Sequence, residues 1–215
     1  MKRFLRQLFK LLYHQFAFSY DFVAAAVSFN HWRRWIEEIL PFIEGTRILE
    51  LGHGPGHLQR ILRRDGWVAV GLDESSQMGQ IARRNTEGSS PLVRGVSQHL
   101  PFPDGSFDTI ISTFPSEYIY DQRTLAEARR CLRLGGRLTV LPAALPKSRI
   151  LDWLYKFTGA SSPESEEVIK NKLIEPFVKA GWATELFIRD TRSSRLFVIV
   201  ANKEQAFESF QSSRG

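Results

Sequence analysis

The stretch that most constrains the fold runs from Arg47 to Met78 and reads RILELGHGPGHLQRILRRDGWVAVGLDESSQM. A short apolar run contains the acidic Glu50, and three glycines follow at alternate positions. A helix-like stretch then leads to a second apolar run that Asp73 closes. Glycines at a strand-to-helix turn let the backbone approach a ligand, and a carboxylate at the tip of the next strand can accept hydrogen bonds from a diol. The sequence therefore predicts an α/β site for a nucleoside-containing cofactor.

The glycine spacing, Gly52, Gly54 and Gly56, distinguishes between classes of cofactor site. A dinucleotide-binding turn reads G-x-G-x-x-G, and His57 stands where its last glycine would be. No G-K-[ST] triplet follows, so the turn does not match a P-loop. On these residues alone, an ordinary glycine-rich turn remains open. Asp73 could likewise serve only as the N-cap of a helix over Ser75–Asn85, and the two roles can coexist.

Three motifs together resemble a known family. The string Glu-Leu-Gly-His-Gly-Pro-Gly that begins at Glu50 resembles the first motif of the class I S-adenosylmethionine-dependent methyltransferases. The string LPFPDGSFD over Leu100–Asp108 and the glycine turn RLGGR over Arg133–Arg137 follow in order. This succession is similar to the methyltransferase type 11 group, whose best-known members methylate ubiquinone and menaquinone precursors. The resemblance covers about Leu40 to Ala201.

The alternation of strand and helix patterns predicts a mainly parallel sheet with helices on both faces. With the resemblance, this is an α/β, Rossmann-like class I methyltransferase fold of seven strands with a C-terminal β-hairpin. We expect strands at 47–51, 67–72, 91–94, 107–113, 137–142, 183–190 and 194–202. We expect helices at 56–65, 75–85, 121–132 and 164–180.

Three segments are predicted along the chain. Residues 1–45 form a helical segment with a break at Pro41, residues 46–204 form the cofactor-binding domain, and residues 205–215 form a flexible polar tail. Between Pro142 and Pro163 we expect an irregular stretch that covers the substrate, and a helix packed on the sheet is the alternative.

The resemblance implies S-adenosyl-L-methionine as cofactor and S-adenosyl-L-homocysteine as product. It assigns the methionine part to Glu50 and the glycine turn, and the ribose to Asp73. Met78 matches a position that packs against adenine, although methionine is also a routine core residue. His53 could touch the cofactor or could be an exposed loop residue. The predicted cofactor-binding residues are Glu50, Gly52, His53, Gly54, Gly56, Asp73, Glu74, Met78, Ser97, Gln98 and Thr113.

One residue departs from the family pattern. Val96 stands where the family usually carries an acid that accepts a hydrogen bond from the adenine amino group, and valine cannot accept one. Gln98 or the backbone of Ser97 could replace it.

The acceptor is expected beside the segment that follows the fourth strand, Thr113 to Tyr118. Glu117 or Tyr118 could orient or deprotonate an acceptor hydroxyl, or Glu117 could simply begin the next helix. The segment lacks the N-P-P-[YFW] string of methyltransferases that act on the amino groups of nucleic acid bases.

The composition and the missing motifs exclude several classes of protein. The 215 residues are 43% hydrophobic, which suits one globular domain. The single cysteine excludes an internal disulfide and a cysteine-cluster metal site, and the five histidines are scattered, so we expect no metal. No G-x-S-x-G elbow and no apolar stretch of membrane-spanning length is present. We expect a cytoplasmic location.

The net charge is +6, and much of it is local to residues 1–20, which carry four basic residues and no acid. On a helical projection these basic residues gather opposite a face of leucines and phenylalanines. Such a helix could lie on an anionic membrane, cover the cofactor site, pack on the core or, less readily, be a targeting segment. The other charges are mixed, so we expect no nucleic-acid partner. The sequence leaves the oligomeric state undetermined.

The sequence-based conclusion is S-adenosylmethionine-dependent methyl transfer to a small, apolar or lipid-like acceptor. A non-catalytic protein of the same fold that binds the cofactor or a partner stays open. A nicotinamide-dependent oxidoreductase ranks third, because His57 replaces the closing glycine.

Overall fold

The computed structural model describes residues 32–146, 166–192 and 194–204. Seven strands alternate with five helices and two short 3-10 turns over these residues. The helices are α1 (Trp32–Glu37), α2 (His57–Arg64), α3 (Ser76–Asn85), α4 (Gln122–Cys131) and α5 (Glu166–Lys179). The strands are β1 (Ile48–Leu51), β2 (Ala69–Asp73), β3 (Leu92–Arg94), β4 (Phe107–Thr113), β5 (Leu132–Pro146), β6 (Ala183–Asp190) and β7 (Ser194–Asn202). The 3-10 turns are Leu40–Phe42 and Glu117–Tyr120.

The strands form one sheet in the order β3-β2-β1-β4-β5-β7-β6. β7 is antiparallel to both of its neighbours, and the other pairs are parallel. The predicted fold class, including the C-terminal hairpin, is confirmed. The register sets Glu50 of β1 beside Gly71 of β2 and Ile111 of β4. The carboxyl ends of β1, β2 and β4 therefore open at one edge of the sheet, where ligands bind in such folds.

Two apolar cores cover the two faces of the sheet. One holds side chains of α1 and α2, such as Trp35 and Leu62, against the sheet. The other holds side chains of α4 and α5, such as Leu125 and Phe177. All four residues of β1 are buried, as expected for a parallel strand covered on both faces.

The end of β5 differs from the sequence-based expectation. The irregular stretch was expected to begin at Pro142, but β5 continues to Pro146, which pairs with Ser194 of β7. The register shifts between Val140 and Ala143, and this irregularity accommodates Pro142, which has no N–H to donate. The expected start at Pro142 is therefore wrong.

The beginning of β5 also differs. The turn expected over Arg133–Arg137 lies inside the strand, as a register shift between the pairs Phe107–Leu132 and Thr109–Arg137. Gly135 takes a left-handed φ of 70° there, which glycine adopts without strain. The predicted amphipathic helix of 1–20, the lid cluster near 150–157 and the tail 205–215 lie outside the described residues.

Candidate functional site

The glycine turn is tied to the end of the neighbouring strand. The backbone N–H groups of Gly52 and His53 donate to the carbonyl of Leu72, with N···O distances of 2.7 and 3.2 Å. The N–H of Gly54 donates to Oδ2 of Asp73 at 2.9 Å. The turn and the Asp73 carboxylate therefore form one unit at the carboxyl edge of the sheet.

Gly52 and Gly54 both have a left-handed backbone, but the space around them differs. Gly52 has a φ of 72°, and a Cβ at this position would collide with the hydroxyl of Tyr118. Gly54 has a φ of 50°, and no other described atom lies within 4 Å of a Cβ built on it. Space beside the turn is therefore open at Gly54, where a ligand can approach the backbone.

Asp73 does not cap the helix that follows it. Its Oδ1 accepts from the N–H of Ser75 at 2.8 Å, and the N-cap of α3 is Ser75, whose hydroxyl accepts from the N–H of Met78 at 3.2 Å. The N-cap interpretation of Asp73 is wrong. Each carboxylate oxygen of Asp73 carries a second lone pair, so the carboxylate can accept two further hydrogen bonds.

Glu50 is buried, with 1% of its surface exposed, and its Oε2 accepts from Nε2 of Gln59 at 2.8 Å. Burial raises the pKa of Glu50 to about 8, against the lowering effect of the Gln59 hydrogen bond. A ligand therefore reaches Glu50 only through a bridging water or after a movement of the turn. Sequence analysis missed Gln59, although a polar residue beside Leu58 on an amphipathic helix was a usable signal.

His53 is turned inward, with 4% of its surface exposed, so the interpretation as an exposed loop residue is wrong. Its Nδ1 lies 2.7 Å from the carbonyl oxygen of Gly54 and donates to it. A Cβ on Gly71 would lie 3.1 Å from Cδ2 of His53, so the ring packs against the bare backbone of β2.

Tyr118 reaches from the 3-10 turn back to the glycine turn. Its hydroxyl donates to the carbonyl of Leu51 at 3.0 Å and lies 2.9 Å from Oγ of Ser112, which itself donates to the same carbonyl at 2.9 Å. Burial raises the pKa of Tyr118 to about 12, with Glu50 and Asp73 adding to the rise. Tyr118 is therefore a protonated donor that holds the start of the turn, and this geometry does not favour it as a general base.

Glu117 lies beside this network but points to solvent. It is exposed and begins the 3-10 turn, whereas Asp121 caps α4 by accepting from the N–H of Arg123 at 2.8 Å. The alternative that Glu117 begins the next helical element agrees with the structure, since Glu117 is the first residue of the 3-10 turn and the α-helix starts later, at Gln122. Its predicted role toward an acceptor stays a prediction.

An aromatic pair lies at the end of β4, directly after Thr113. The rings of Phe114 and Trp32 stack with centroids 4.1 Å apart and an interplanar angle of 30°, and Trp35 lies 6.2 Å from Phe114. Phe114 has a φ of 48°, a left-handed conformation that is costly for a bulky residue, and Pro115 restricts it further. Strain of this kind collects at functional sites. Sequence analysis did not find this pair.

A cavity of about 580 Å³ opens beyond the ends of β2 and β3. Its lining residues are Glu74, Arg94, Gly95, Val96, His99 and Pro101. Val96 is 43% exposed in it.

The two residues that could replace an acid at Val96 lie next to this cavity. The hydroxyl of Ser97 is buried against Oγ1 of Thr124 at 3.0 Å. The amide of Gln98 contacts Ser97 and Asp121, each at 3.4 Å. The side chains of Ser97 and Gln98 thus bond to each other and to the α4 region.

The remaining predicted residues lie around this edge. Thr113 is half-buried at the end of β4, and Glu74 and Met78 are exposed beside the cavity and on α3. Within the ranges that the structure covers, no group of three or more His, Cys, Asp or Glu side chains is placed to hold a metal ion. Over the same ranges, no helix has the length and apolar character needed to cross a bilayer.

Comparison with known proteins identifies relatives of this site. A family model described as a methyltransferase domain (Methyltransf_11) matches residues 49–140. The demethylmenaquinone methyltransferase of Thermotoga maritima is 32% identical over 69% of this chain and 64% of its own length. That of Thermus thermophilus is 33% identical over 67% of this chain and 70% of its own length. A third, from Tropheryma whipplei, is 34% identical over 63% of this chain and 59% of its own length, so the chain spans about three-fifths of the first relatives.

Solved structures show the same fold at lower identity. A SAM-dependent methyltransferase of Thermotoga maritima matches 90% of this chain and 98% of its own, with a TM-score of 0.57 and 21% identity. The phospholethanolamine N-methyltransferase 2 of Haemonchus contortus, solved with phosphomonomethylethanolamine and S-adenosylhomocysteine, matches 82% of this chain and 53% of its own. Its TM-score is 0.55 and its identity 16%.

The motif succession, the strand order and the relatives agree. The chain belongs to the class I S-adenosylmethionine-dependent methyltransferases, in the group of the ubiquinone and menaquinone methyltransferases, whose cofactor is S-adenosyl-L-methionine.

Proposed function

We propose that this chain transfers a methyl group from S-adenosyl-L-methionine to a small, apolar acceptor and releases S-adenosyl-L-homocysteine. The observation that carries the proposal is the unit formed by the open glycine turn and the Asp73 carboxylate at the carboxyl edge of the sheet. When bound, the cofactor supplies an electrophilic methyl group, because its sulfonium sulfur leaves as a neutral thioether. An electron pair of the acceptor, on oxygen, nitrogen or a ring carbon, would form the bond to the methyl carbon as the carbon–sulfur bond breaks, and the proton displaced from the acceptor would pass to water.

The residues present fit this cofactor along its length. Asp73 has free lone pairs for the two ribose hydroxyls, and the space at Gly54 admits the methionine part against the backbone. The cavity between Glu74 and Val96 suits the adenine ring, with Val96 as an apolar contact. The N–H of Ser97 has no acceptor among the described groups and is available to a ring nitrogen. This donor adds a contact to adenine but does not replace the acceptor that valine lacks.

The acceptor side is apolar and aromatic. β4 pairs with β1 at Ile111 and Glu50, and Phe114 follows three residues later, toward the edge that holds the glycine turn. This position supports the Trp32–Phe114 pair as a wall beside the transferred methyl group. Such a wall favours a planar, apolar acceptor and excludes water, which supports displacement by proximity and alignment. The relatives named as demethylmenaquinone methyltransferases support a quinol ring as the first acceptor to test.

Titration calorimetry with S-adenosylmethionine and S-adenosylhomocysteine tests the cofactor part of the proposal. We expect dissociation constants on the order of micromolar for the wild type. Asp73→Ala removes the side chain proposed to accept hydrogen bonds from the ribose and should weaken binding by about tenfold to a hundredfold. The matched control is Asp65→Ala, at the opposite end of α2, where Asp65 pairs only with Arg64 among the described residues. A folded wild type that binds neither ligand, or an Asp73→Ala variant that binds as tightly as the control, would contradict the proposal.

A further inference from the structure

The helices on one face of the sheet carry a group of exposed arginines. α2 and α3 follow consecutive right-handed crossovers and therefore cover the same face, and α1 packs into the core beneath α2. α3 is tied to the glycine turn that leads into α2, since Nδ2 of Asn85 donates to the carbonyl of Pro55 at 2.8 Å. On these three helices, the exposed arginines without an ion pair to any described residue are Arg33, Arg34, Arg60, Arg63, Arg83 and Arg84. We call this set the arginine face.

The acids on these helices are already engaged. Glu37 and Asp65 both pair with Arg64, at 3.0 and 2.7 Å, and Glu38 pairs with Arg189 of β6 at 3.1 Å. The arginine face is therefore a local excess of positive charge, which the mixed order of charges in the sequence does not reveal. Arg33 and Arg60 also lower the pKa of His57 at the start of α2, after the larger effect of burial, which places both charges near one point.

On the opposite face, arginines are used within the fold. Arg129 donates to the carbonyls of Ala180 and Gly181, the shorter bond being 2.8 Å. Arg130 pairs with Glu127 at 2.8 Å and with Asp104 at 2.7 Å. The unpaired arginines thus belong mainly to the face of α1, α2 and α3, and folding of the described residues does not account for them.

Exposed apolar residues lie among these arginines. Val68 is 73% exposed and lines a shallow cavity of about 320 Å³ together with Arg63, Ser89 and Ser90. Ile81 is 39% exposed on α3, three residues before Arg84 and therefore on the same side of the helix. Binding of a nucleic acid backbone gains nothing from such residues, whereas a membrane interface buries apolar side chains beside basic ones.

We propose that the arginine face binds the surface of an anionic membrane, with its arginines on lipid phosphates and with Val68 and Ile81 in the headgroup layer. The predicted amphipathic helix of residues 1–20 precedes α1 in the chain and carries four further basic residues. The proposal does not depend on the methyl-transfer function.

Co-sedimentation of the full-length protein with vesicles tests the proposal. The vesicles are pure phosphatidylcholine, or phosphatidylcholine mixed with phosphatidylglycerol. Binding is expected only to the anionic vesicles and should fall as salt is added. The double variant Arg63→Glu with Arg84→Glu should weaken the partition constant by about 25-fold or more, at about fivefold for each arginine lost.

The matched control changes the same net charge on the opposite face. Arg123→Glu with Lys170→Glu replaces two exposed basic residues of α4 and α5 and should change partitioning by less than about threefold. Thermal melting of both double variants shows whether each is folded, and Val68→Ser tests the apolar contact without a change of charge.

Four results would overturn the proposal. The wild type could fail to bind anionic vesicles, or it could bind both kinds of vesicle equally. The two double variants could lose equal amounts of vesicle binding, or duplex DNA at equal phosphate concentration could displace the protein from the vesicles. The last result would assign the face to nucleic acid.

Discussion

Replacing Glu50 with glutamine removes a buried ionisable group and keeps both the shape of the side chain and an acceptor for Gln59. The wild-type carboxyl has a pKa of about 8 in the folded protein against an ordinary value of 4.5, because burial disfavours its charged form. Between these two values the folded protein holds a proton that the unfolded chain has lost. The free energy of unfolding of the wild type therefore falls as the pH rises through this window, and it levels off above about pH 8.

The size of the effect follows from the two pKa values. A gap of about 3.5 pH units at 1.36 kcal/mol each corresponds to about 5 kcal/mol, which is an upper estimate because water can reach an ionised group. Glu50→Gln carries no such cost. The variant should gain about 1 kcal/mol or less over the wild type near pH 5, and several kcal/mol near pH 9.

Urea unfolding of the wild type and Glu50→Gln at about pH 5, 7 and 9 measures this gain. Glu74→Gln is the matched control, since Glu74 is an exposed acid on the next strand end, and its difference from the wild type should stay nearly constant with pH. Calorimetry on the same samples should show weaker S-adenosylmethionine binding by Glu50→Gln mainly at pH 9, where the wild-type carboxyl is ionised and favours a cationic ligand nearby. A gain that does not grow between pH 5 and pH 9 would refute the argument from burial.

Three further predictions follow from the contacts. Tyr118→Phe removes the hydrogen bond to the carbonyl of Leu51 and should lower the free energy of unfolding by about 1 kcal/mol and cofactor affinity by about fivefold, measured by urea unfolding and calorimetry. Phe114→Gly should be more stable than Phe114→Ala by about 1 kcal/mol in the same unfolding assay, because only glycine relieves the left-handed backbone; equal stabilities would contradict the strain. The Arg47 guanidinium, its backbone N–H and further donors hold the pKa of Asp108 well below its usual range. Asp108 therefore contributes stability that is fully present above the ordinary pKa of 3.8 and is lost as the pH falls toward the lowered pKa of the folded protein. Asp108→Asn should therefore cost about 3 kcal/mol at neutral pH, with a loss that shrinks in acid; a pH-independent loss would contradict this.

The sequence was sufficient for the sheet because its signals are local. The glycine turn and the apolar runs ending near Glu50 and Asp73 fix where two strands end, and the handedness of crossovers orders the strands between them. The expected strands at 183–190 and 194–202, with only three residues between them, likewise predicted the terminal hairpin. By contrast, the length of β5 depends on a partner strand far along the chain, and a proline at position 142 gave the wrong local signal.

The sequence predicted where the backbone of the site lies but not which side chains contact one another there. Motif spacing located the turn and Asp73, but the partners of Glu50, Tyr118 and Phe114 come from elements 9, 67 and 82 residues away in sequence. Such contacts are set by packing, which no short pattern encodes. The polar Ser112 in an otherwise apolar strand was the signal that could have pointed to the Tyr118 network.

The arginine face illustrates the same limit for charge. Arg63 and Arg84 are interspersed with acids along the sequence. Only the structure shows that Glu37 and Asp65 both pair with Arg64 and leave Arg63 and Arg84 unpaired among the described residues. Surface electrostatics therefore had to be read from the folded structure.

Incubation of the protein with methyl-labelled S-adenosylmethionine and a reduced naphthoquinone, followed by extraction into organic solvent, tests the central claim most directly. Methyl transfer to a small apolar acceptor predicts label in the extracted acceptor with the wild type and with Asp65→Ala, and at least tenfold less with Asp73→Ala at subsaturating cofactor. Tight cofactor binding without label in any quinol, phenol or lipid acceptor would contradict the claim and would instead support a non-catalytic protein that binds the cofactor.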